Sequence, residues 1–456
     1  MTTTGFSVLD SEELRGFHRK VTALSVAGMF LDGYDLAVIA VALPVLTKQW
    51  SIPSSMTGPL AASAVFGMLV GALVLGRLTD RLGRKKMYLV DLICFFVFAV
   101  LTAVSQNYWE LFVFRFLLGL GLGADYSISS TLLAEFAPAR RRGMLMCGLG
   151  ATWFAGSATA YLAGLAFAPL GASSWRWMLL LGGLFAAVVI YLRSKVPESP
   201  RWLQSKGRSA EAAAVLSDLS GRPVAEVEAR PVQAPFSRLL TGRMLRLTLF
   251  CCGFWFMYTL TYYGITIYTP TILGQLASTP TEASIGSCVV GLLGVAGATV
   301  GVAVVDRVGR RPLIIVSFIG LVVALAVLAL IPSPPLTVVV MLFALAVLCA
   351  NAGPGILDFV YPTELFPTSL RASGTGLAAA TSRVGGIIGT LVFPDMVAAW
   401  GISDALWLFV AAGVLGVLIC VLSAPETKGE TLEALNRRLV GDAELRELNE
   451  AAAPAA

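Results

Sequence analysis

The sequence predicts an all-α polytopic membrane protein in which twelve transmembrane helices form two parallel-repeat six-helix bundles. Composition, the placement of charge and an internal echo carry that prediction. Of 456 residues, 57% are hydrophobic and 13% charged, against about 25% charged in a soluble domain, and mean hydropathy is +0.79. Apolar runs lie near 21–46, 57–76, 87–105, 109–134, 144–168 and 175–193. A second set lies near 247–273, 284–305, 313–331, 336–361, 374–397 and 404–423. Each is close to the roughly 20 residues that cross a hydrocarbon core. They are continuous and not alternating, which excludes a transmembrane barrel.

Charge sets the orientation. All but four of the 33 Lys and Arg fall in the tails and in loops on one side of the twelve runs. Lys48 and Arg176 lie on the other side, and Arg115 and Arg383 lie within runs. The positive-inside rule then places both termini in the cytoplasm of a multi-pass plasma-membrane protein. The net charge of +5 is an orientation signal, so no nucleic-acid partner is expected. All seven Cys sit in apolar runs and read as small buried hydrophobes. His18 flanks the first run, and no short apolar core precedes that run, so no cleavable signal is expected. No metal-ligand spacing, no nucleotide loop of the GxxxxGK[ST] kind and no Ser–His–Asp set is present. The expectation is a non-enzyme with no cofactor and no metal.

The echo sets the organisation. "DRLGRKK" (80–86) returns as "DRVGRRP" (306–312), "AEFAPARR" (134–141) as "TELFPTSL" (363–370), and "PESP" (197–200) as "PETK" (425–428). Three weak matches at nearly one offset imply two halves in the same orientation. The expected divisions are a six-helix bundle with its amino-terminal tail (1–193), a polar linker (194–244), a second bundle (245–424) and a tail (425–456). The linker contains "KGRSAEAAAVLSDL" and reads as short amphipathic helices.

The segments "GRLTDRLGRKK" (76–86), "RFLLGLGLGADYSISSTLLAEFAPARRRG" (115–143), "PESPRWL" (197–203), "DRVGRR" (306–311) and "PETKGETL" (425–432) resemble the major facilitator superfamily over nearly the whole chain. They are closest to the branch of sugar porters, phosphate symporters and organic-ion carriers. The resemblance implies a cytoplasmic gate built from Gly76, Asp80, Arg81, Gly83, Arg84, Glu135 and Arg142 in the first half. Asp306, Arg307, Arg310, Glu364 and Arg371 are its counterparts in the second. Independently of the resemblance, Gly76 and Gly83 permit tight turning, and the basic residues of these loops fix orientation.

"FLDGYDLAVI" (30–39) puts two carboxylates inside an apolar run, where each costs a few kcal/mol at least (about 2.5–3.5 on insertion scales). Asp32 and Asp35 are three residues apart and share a helix face, which should turn inward. Arg115 on the fourth helix is the natural partner. In proton-linked sugar porters a "GYD" aspartate faces the arginine of an "RxxxGxGxG" helix, so the resemblance implies that Asp35 and Arg115 couple proton movement. Gly119, Gly121 and Gly123 give close helix contact. A carboxylate alternately paired and wetted changes its proton affinity. Asp32 and Asp125 are further acids that favour proton symport; for Asp32, nearer the cytoplasmic mouth, simple hydration is the alternative. A static ion pair is the structural alternative.

For the solute, Trp255, Thr259 and Tyr263 recur at helical spacing on the seventh helix, with Tyr262 beside them. Trp153 should face them from helix 5 and Tyr126 from helix 4. Asn351, Asp358 and Arg383 complete the expected binding set. Arg383 would either hold a carboxylate bidentately or pair with Asp358. "DGYD" and "GADYSIS" resemble phosphate symporters. However, Thr259, Trp153 and Gly355 stand where that family's aspartate, glutamine and asparagine would stand. Helices 5 and 7 lack the Gln and Asn that a hydroxyl-rich ligand needs. Aromatic walls suit flat organic solutes or cations. "YYG", "YPTELFPT" and "SRVGGIIG" resemble nicotinate and organic-ion carriers. The expectation is a monomer that moves a small organic solute, an organic or aromatic acid, together with protons by alternating access. A sugar or polyol transporter, a phosphate symporter and a drug or metabolite exporter are the alternatives.

Overall fold

A computed structural model describes residues 15–82, 84–136, 142–193, 198, 200–205, 207–220, 234–367 and 369–451; side chains at 15–21, 73, 75–86, 88, 124–146 and a few helix-end and linker positions lie outside that description. Regular structure among the described residues is helical. The first six long helices are α1 (Arg15–Trp50), α2 (Ser54–Leu82), α3 (Arg84–Val104), α4 (Tyr108–Phe136), α5 (Arg142–Phe167) and α6 (Ser174–Arg193). Two short linker helices follow, α7 (Pro200–Ser205) and α8 (Ser209–Ser220). The second set is α9 (Gly242–Leu276), α10 (Pro280–Val308), α11 (Arg310–Leu330), the pair α12 (Leu336–Ala352) and α13 (Pro354–Leu365), α14 (Arg371–Trp400) and α15 (Ile402–Ser423). Two small helices close the chain, α16 (Leu432–Leu439) and α17 (Asp442–Ala451).

The run predicted near 336–361 is one span, Leu336–Leu365, but its helix is broken. The chain breaks at Gly353, whose φ of −118° and ψ of −84° separate α12 from α13. Pro354 supplies no N–H and disfavours helical geometry at the residue before it. Gly353 also packs where a Cβ would lie 2.5 Å from Ser317. Ends elsewhere follow local chemistry. Thr279 caps α10 by accepting the Glu282 N–H, with Pro280 in the first turn. Gly309, at φ +101°, ends the same helix.

Packing reproduces the repeat. In the first half α1 lies on α5, α2 on α4 and α3 on α6; in the second α9 lies on α14, α10 on α12 and α11 on α15. Equivalent atoms recur at the offsets of the sequence echo. Gly33 abuts the Trp153 carbonyl, and Thr259 donates to the Ser382 carbonyl at 2.6 Å. Gly156 abuts the Phe30 carbonyl, and Gly385 that of Phe256. Gly71 abuts Leu120, and Gly297 abuts Leu348. Small residues at these crossings let backbones touch, the main source of helix attraction where lipid is as apolar as the side chains.

The halves meet through α2 with α14, α5 with α10 and α1 with α9. These contacts include the end of the bundle away from the tails. There Gly58 packs on Leu391, Gly291 on Ala158, and the Tyr161 hydroxyl donates to the Thr266 carbonyl at 2.8 Å.

Candidate functional site

Between the halves, at mid-bundle, lies a narrow cavity lined from both halves. From α5 come Gly150, Trp153 and Phe154, and from α9 come Trp255, Tyr258, Thr259, Tyr262 and Tyr263. Gly355, Asp358 and Phe359 of α13 and Arg383 of α14 complete the wall. The Trp153 ring lies 6.0 Å from that of Tyr262 and 6.3 Å from that of Tyr263, across the two halves.

The break at Gly353 lets α13 begin inside the bundle and brings Gly355 and Asp358 to the cavity. A Cβ on Gly355 would sit 2.5 Å from the Tyr258 hydroxyl and 2.8 Å from the Phe154 ring, so the absent side chain is what lets these two wall residues pack against α13. Thr259 lines the wall, but its hydroxyl is spent on the Ser382 and Trp255 carbonyls. Asn351 stands behind the wall and not in it. It accepts from the Tyr258 hydroxyl at 3.3 Å and donates to the Gly294 carbonyl at 3.2 Å, which makes it a positioning residue for Tyr258.

The two open possibilities for Arg383 are resolved in part. Asp358 makes no ion pair among the described residues, although Arg383 lies within its electrostatic reach. Arg383 donates to the Ser382 hydroxyl at 3.2 Å. Arg383 and Asp358 both line the cavity beside Tyr263, and Asp32 lies within electrostatic reach of the same phenol.

Asp35 and Arg115 come together. Arg115 Nη2 stands 3.6 Å from Asp35 Oδ2 and donates to the Asp35 carbonyl at 3.2 Å. Both residues are buried, Arg115 completely. The contact is loose. Asp35 Oδ2 and Arg115 Nε and Nη1 have no hydrogen-bond partner among the described residues. Asp32 is 0% exposed, which speaks against the alternative that it is simply hydrated at the mouth. Close packing of α1 on α5, through Gly33 and Gly156, seals this part of α1. Asp125 and Tyr126 lie outside the described side chains.

At the end that carries the tails, the predicted gate residues of the second half form a lattice. Arg310 bridges Asp306 at 2.9 Å and Glu364 at 3.1 Å, and the Thr427 hydroxyl donates to Glu364. Lys428 Nζ donates to the Arg307 carbonyl at 2.7 Å, and Arg371 Nε to that of Phe366 at 3.3 Å. Each of these contacts lies within the second bundle or joins it to the tail that follows it. The counterparts Gly76, Asp80, Arg81, Gly83, Arg84, Glu135 and Arg142 lie outside the described residues or side chains. Sequence reasoning missed Glu426, the centre of this lattice. Its carboxylate accepts backbone N–H groups from Arg310, Arg311, Thr427 and Lys428 at 2.9–3.1 Å. Burial pushes its carboxyl up, but those four donors outweigh it and hold Glu426 below its ordinary value. The repeat of "PESP" as "PETK" was the available signal. Sequence reading also missed Tyr258, Phe154, Phe359 and Gly150 as wall residues. Tyr258 could have been found one turn before Tyr262, whereas the others depend on how α5 and α13 pair.

Known proteins agree with this architecture. The putative metabolite transport protein YaaU of Escherichia coli is 36% identical, over 93% of this chain and 95% of that protein. The inner membrane metabolite transport protein YgcS of the same organism is 33% identical over 93% and 95%. Among solved structures, the xylose transporter XylE from E. coli in a partially occluded inward-open conformation superposes with a TM-score of 0.76. It is 23% identical and covers 91% of this chain and 100% of XylE, a likeness of fold. The family model for sugar (and other) transporters matches residues 20–439. Two halves packed by one repeated pattern around a central cavity are what that match requires of the structure, and this protein belongs to the sugar-transporter family of the major facilitator superfamily, a membrane transporter of metabolites and not an enzyme.

Proposed function

We propose that this protein is a proton-coupled symporter of a small organic solute, an organic or aromatic acid or a related metabolite, working by alternating access. It acts as a monomer in the plasma membrane, with both tails in the cytoplasm. The observation that carries the reading is the loose, water-excluded Asp35–Arg115 pair on the helix whose Gly33 touches the cavity wall at Trp153. When the cavity opens, water reaches Asp35 and its proton affinity changes with the state of the halves. The cavity itself is the solute site, with Arg383 as the cation that receives a carboxylate. Asp32 and Asp125 are accessory acids. The basic loop at 76–86 and its counterpart at 306–312 act as the cytoplasmic latch.

A sugar or polyol is the second reading, favoured by kinship. One relative, 29% identical, is an arabinose-proton symporter of Bacillus subtilis, while another of 29% identity is the niacin transporter NiaP of Acinetobacter baylyi. The wall favours the organic solute, because its described residues include no Gln or Asn side chain and buried hydroxyls need such partners.

Purified protein in liposomes tests both readings. Nicotinate, benzoates, aliphatic acids, choline-like cations, hexoses and phosphate are offered with and without an inward proton gradient. Gradient-driven uptake of an organic solute, abolished in Asp35→Asn while counterflow survives, is the expected result. Uptake indifferent to gradient and mutation would leave a facilitator with a static ion pair, and hexose uptake alone would establish the second reading.

A further inference from the structure

The charges in the central cavity carry information about the solute beyond its being organic. Asp358 is 7% exposed and lines the cavity. Its Oδ1 has no hydrogen-bond partner, and it makes no ion pair among the described residues. Arg383 acts on Asp358 from beyond ion-pair distance, and a buried carboxylate oxygen left without a donor is costly and calls for a donor or a cation in contact. Arg383, on a different helix, lines the same cavity. Asp32 lies near enough to act on the same Tyr263 phenol as these two.

Each solute class meets this arrangement differently. A plain organic anion would suit Arg383 while adding a negative charge beside Asp358. A plain cation would suit Asp358 and the ring faces while adding a positive charge beside Arg383. A neutral polyol answers neither charge and, among the described lining residues, meets seven aromatic side chains and no amide. A molecule with both charges answers both groups and adds no net charge to a site that excludes water. Rings such as Trp153 and Trp255 add attraction for a cationic nitrogen over their faces.

We infer that the transported solute is a small zwitterion whose cationic nitrogen is held by Asp358 and whose carboxylate is held by Arg383. The inference rests on the reading of the cavity as the solute site. It makes Asp358 a specificity-determining residue, selecting against simple acids of the same size.

The test uses the purified full chain in detergent and follows the shift in melting temperature at neutral pH. The library is small polar metabolites sorted as zwitterions, monoanions, monocations and neutral polyols. A ring-matched trio, para-aminomethylbenzoate, benzoate and benzylamine, is titrated alongside. Wild-type protein should respond to zwitterions and bind the best of them roughly tenfold more tightly than analogues lacking either charge, as charged hydrogen bonds imply. Asp358→Asn should remove the preference over the anion, and Arg383→Gln the preference over the cation. The class comparison on wild type decides the question even if a variant fails to fold. Monoanions or polyols binding as tightly as zwitterions would overturn the zwitterion and leave the small-solute reading intact. Protein that melts cooperatively and responds to no class would overturn both.

Discussion

At the scale of single residues, Asp35 and Arg115 show how incompletely a buried pair can be satisfied. Their charges offset one another across 3.6 Å, yet Arg115 Nε and Nη1 find no acceptor among the described residues. Taking away one partner leaves the other charged and dry, which costs about 3–5 kcal/mol. Arg115→Leu should therefore lower the thermal midpoint of the purified protein markedly, and adding Asp35→Leu should recover much of the loss. Additive losses in the double variant would refute mutual dependence. Gly355 makes a second prediction. Its Cβ position is 2.5 Å from the Tyr258 hydroxyl and 2.8 Å from the Phe154 ring, so Gly355→Ala reduces the cavity and displaces a wall residue. Solute affinity should fall several-fold while the protein still folds, since the methyl is relieved by shifting the Tyr258 and Phe154 side chains and not the backbone. Unchanged affinity in a titration of any bound solute would show that this part of the wall is not used.

Among elements, the tail segment after α15 is fastened to the first turn of α11 by one carboxylate. Glu426 takes the N–H groups of Arg310 and Arg311 at that helix start, where the backbone is rich in unpaired donors. Its carboxyl titrates below the ordinary 4.5. The sign follows from linkage: a depressed acid stabilises the docked tail fully above about pH 4.5 and loses that contribution as pH falls through the lower folded value. Protease cleavage within 425–441 should accelerate in acid below that point, and Glu426→Gln should give fast cleavage with little pH dependence. Equal cleavage of both proteins at neutral pH would show that the clasp contributes nothing. The twelve spans were legible because length and apolar continuity decide a membrane helix with little help from tertiary context. The division of the tenth into α12 and α13 was less so, although Gly353–Pro354 carried the chemistry for it. Glu426 stayed hidden because its four partners are backbone groups, which no side-chain motif displays.

For the molecule as a whole, the repeat joins sequence to mechanism. Gly33 against Trp153 and Thr259 against Ser382 occupy equivalent places in the two halves, so each half is a unit packed the same way. The pairing of Asp35 with Arg115 could be read from the sequence, because an apolar run leaves a carboxylate few possible partners. The separation of Asp358 from Arg383 could not, because it depends on how α13 and α14 are set by the break at Gly353. Charge placement predicts that Lys48 faces the exterior, so a Lys48→Cys variant should react with an impermeant maleimide added to intact cells. Labelling only after lysis would reverse the topology. Alternating access adds a stronger requirement, because the halves must part at the end away from the tails. There Gly291 lies close enough to α5 that its Cβ position is 3.3 Å from Ala158 Cα, a spacing that brings two cysteines near disulfide reach. Oxidising Ala158→Cys with Gly291→Cys should stop solute uptake into liposomes, and reductant should restore it, while either single variant is insensitive to oxidation. Solute binding from the tail side should persist in the oxidised protein, since the cavity lies beyond the cross-link. Full uptake by quantitatively cross-linked protein would mean that this contact never opens, and that the solute passes by a route other than the seam between the halves.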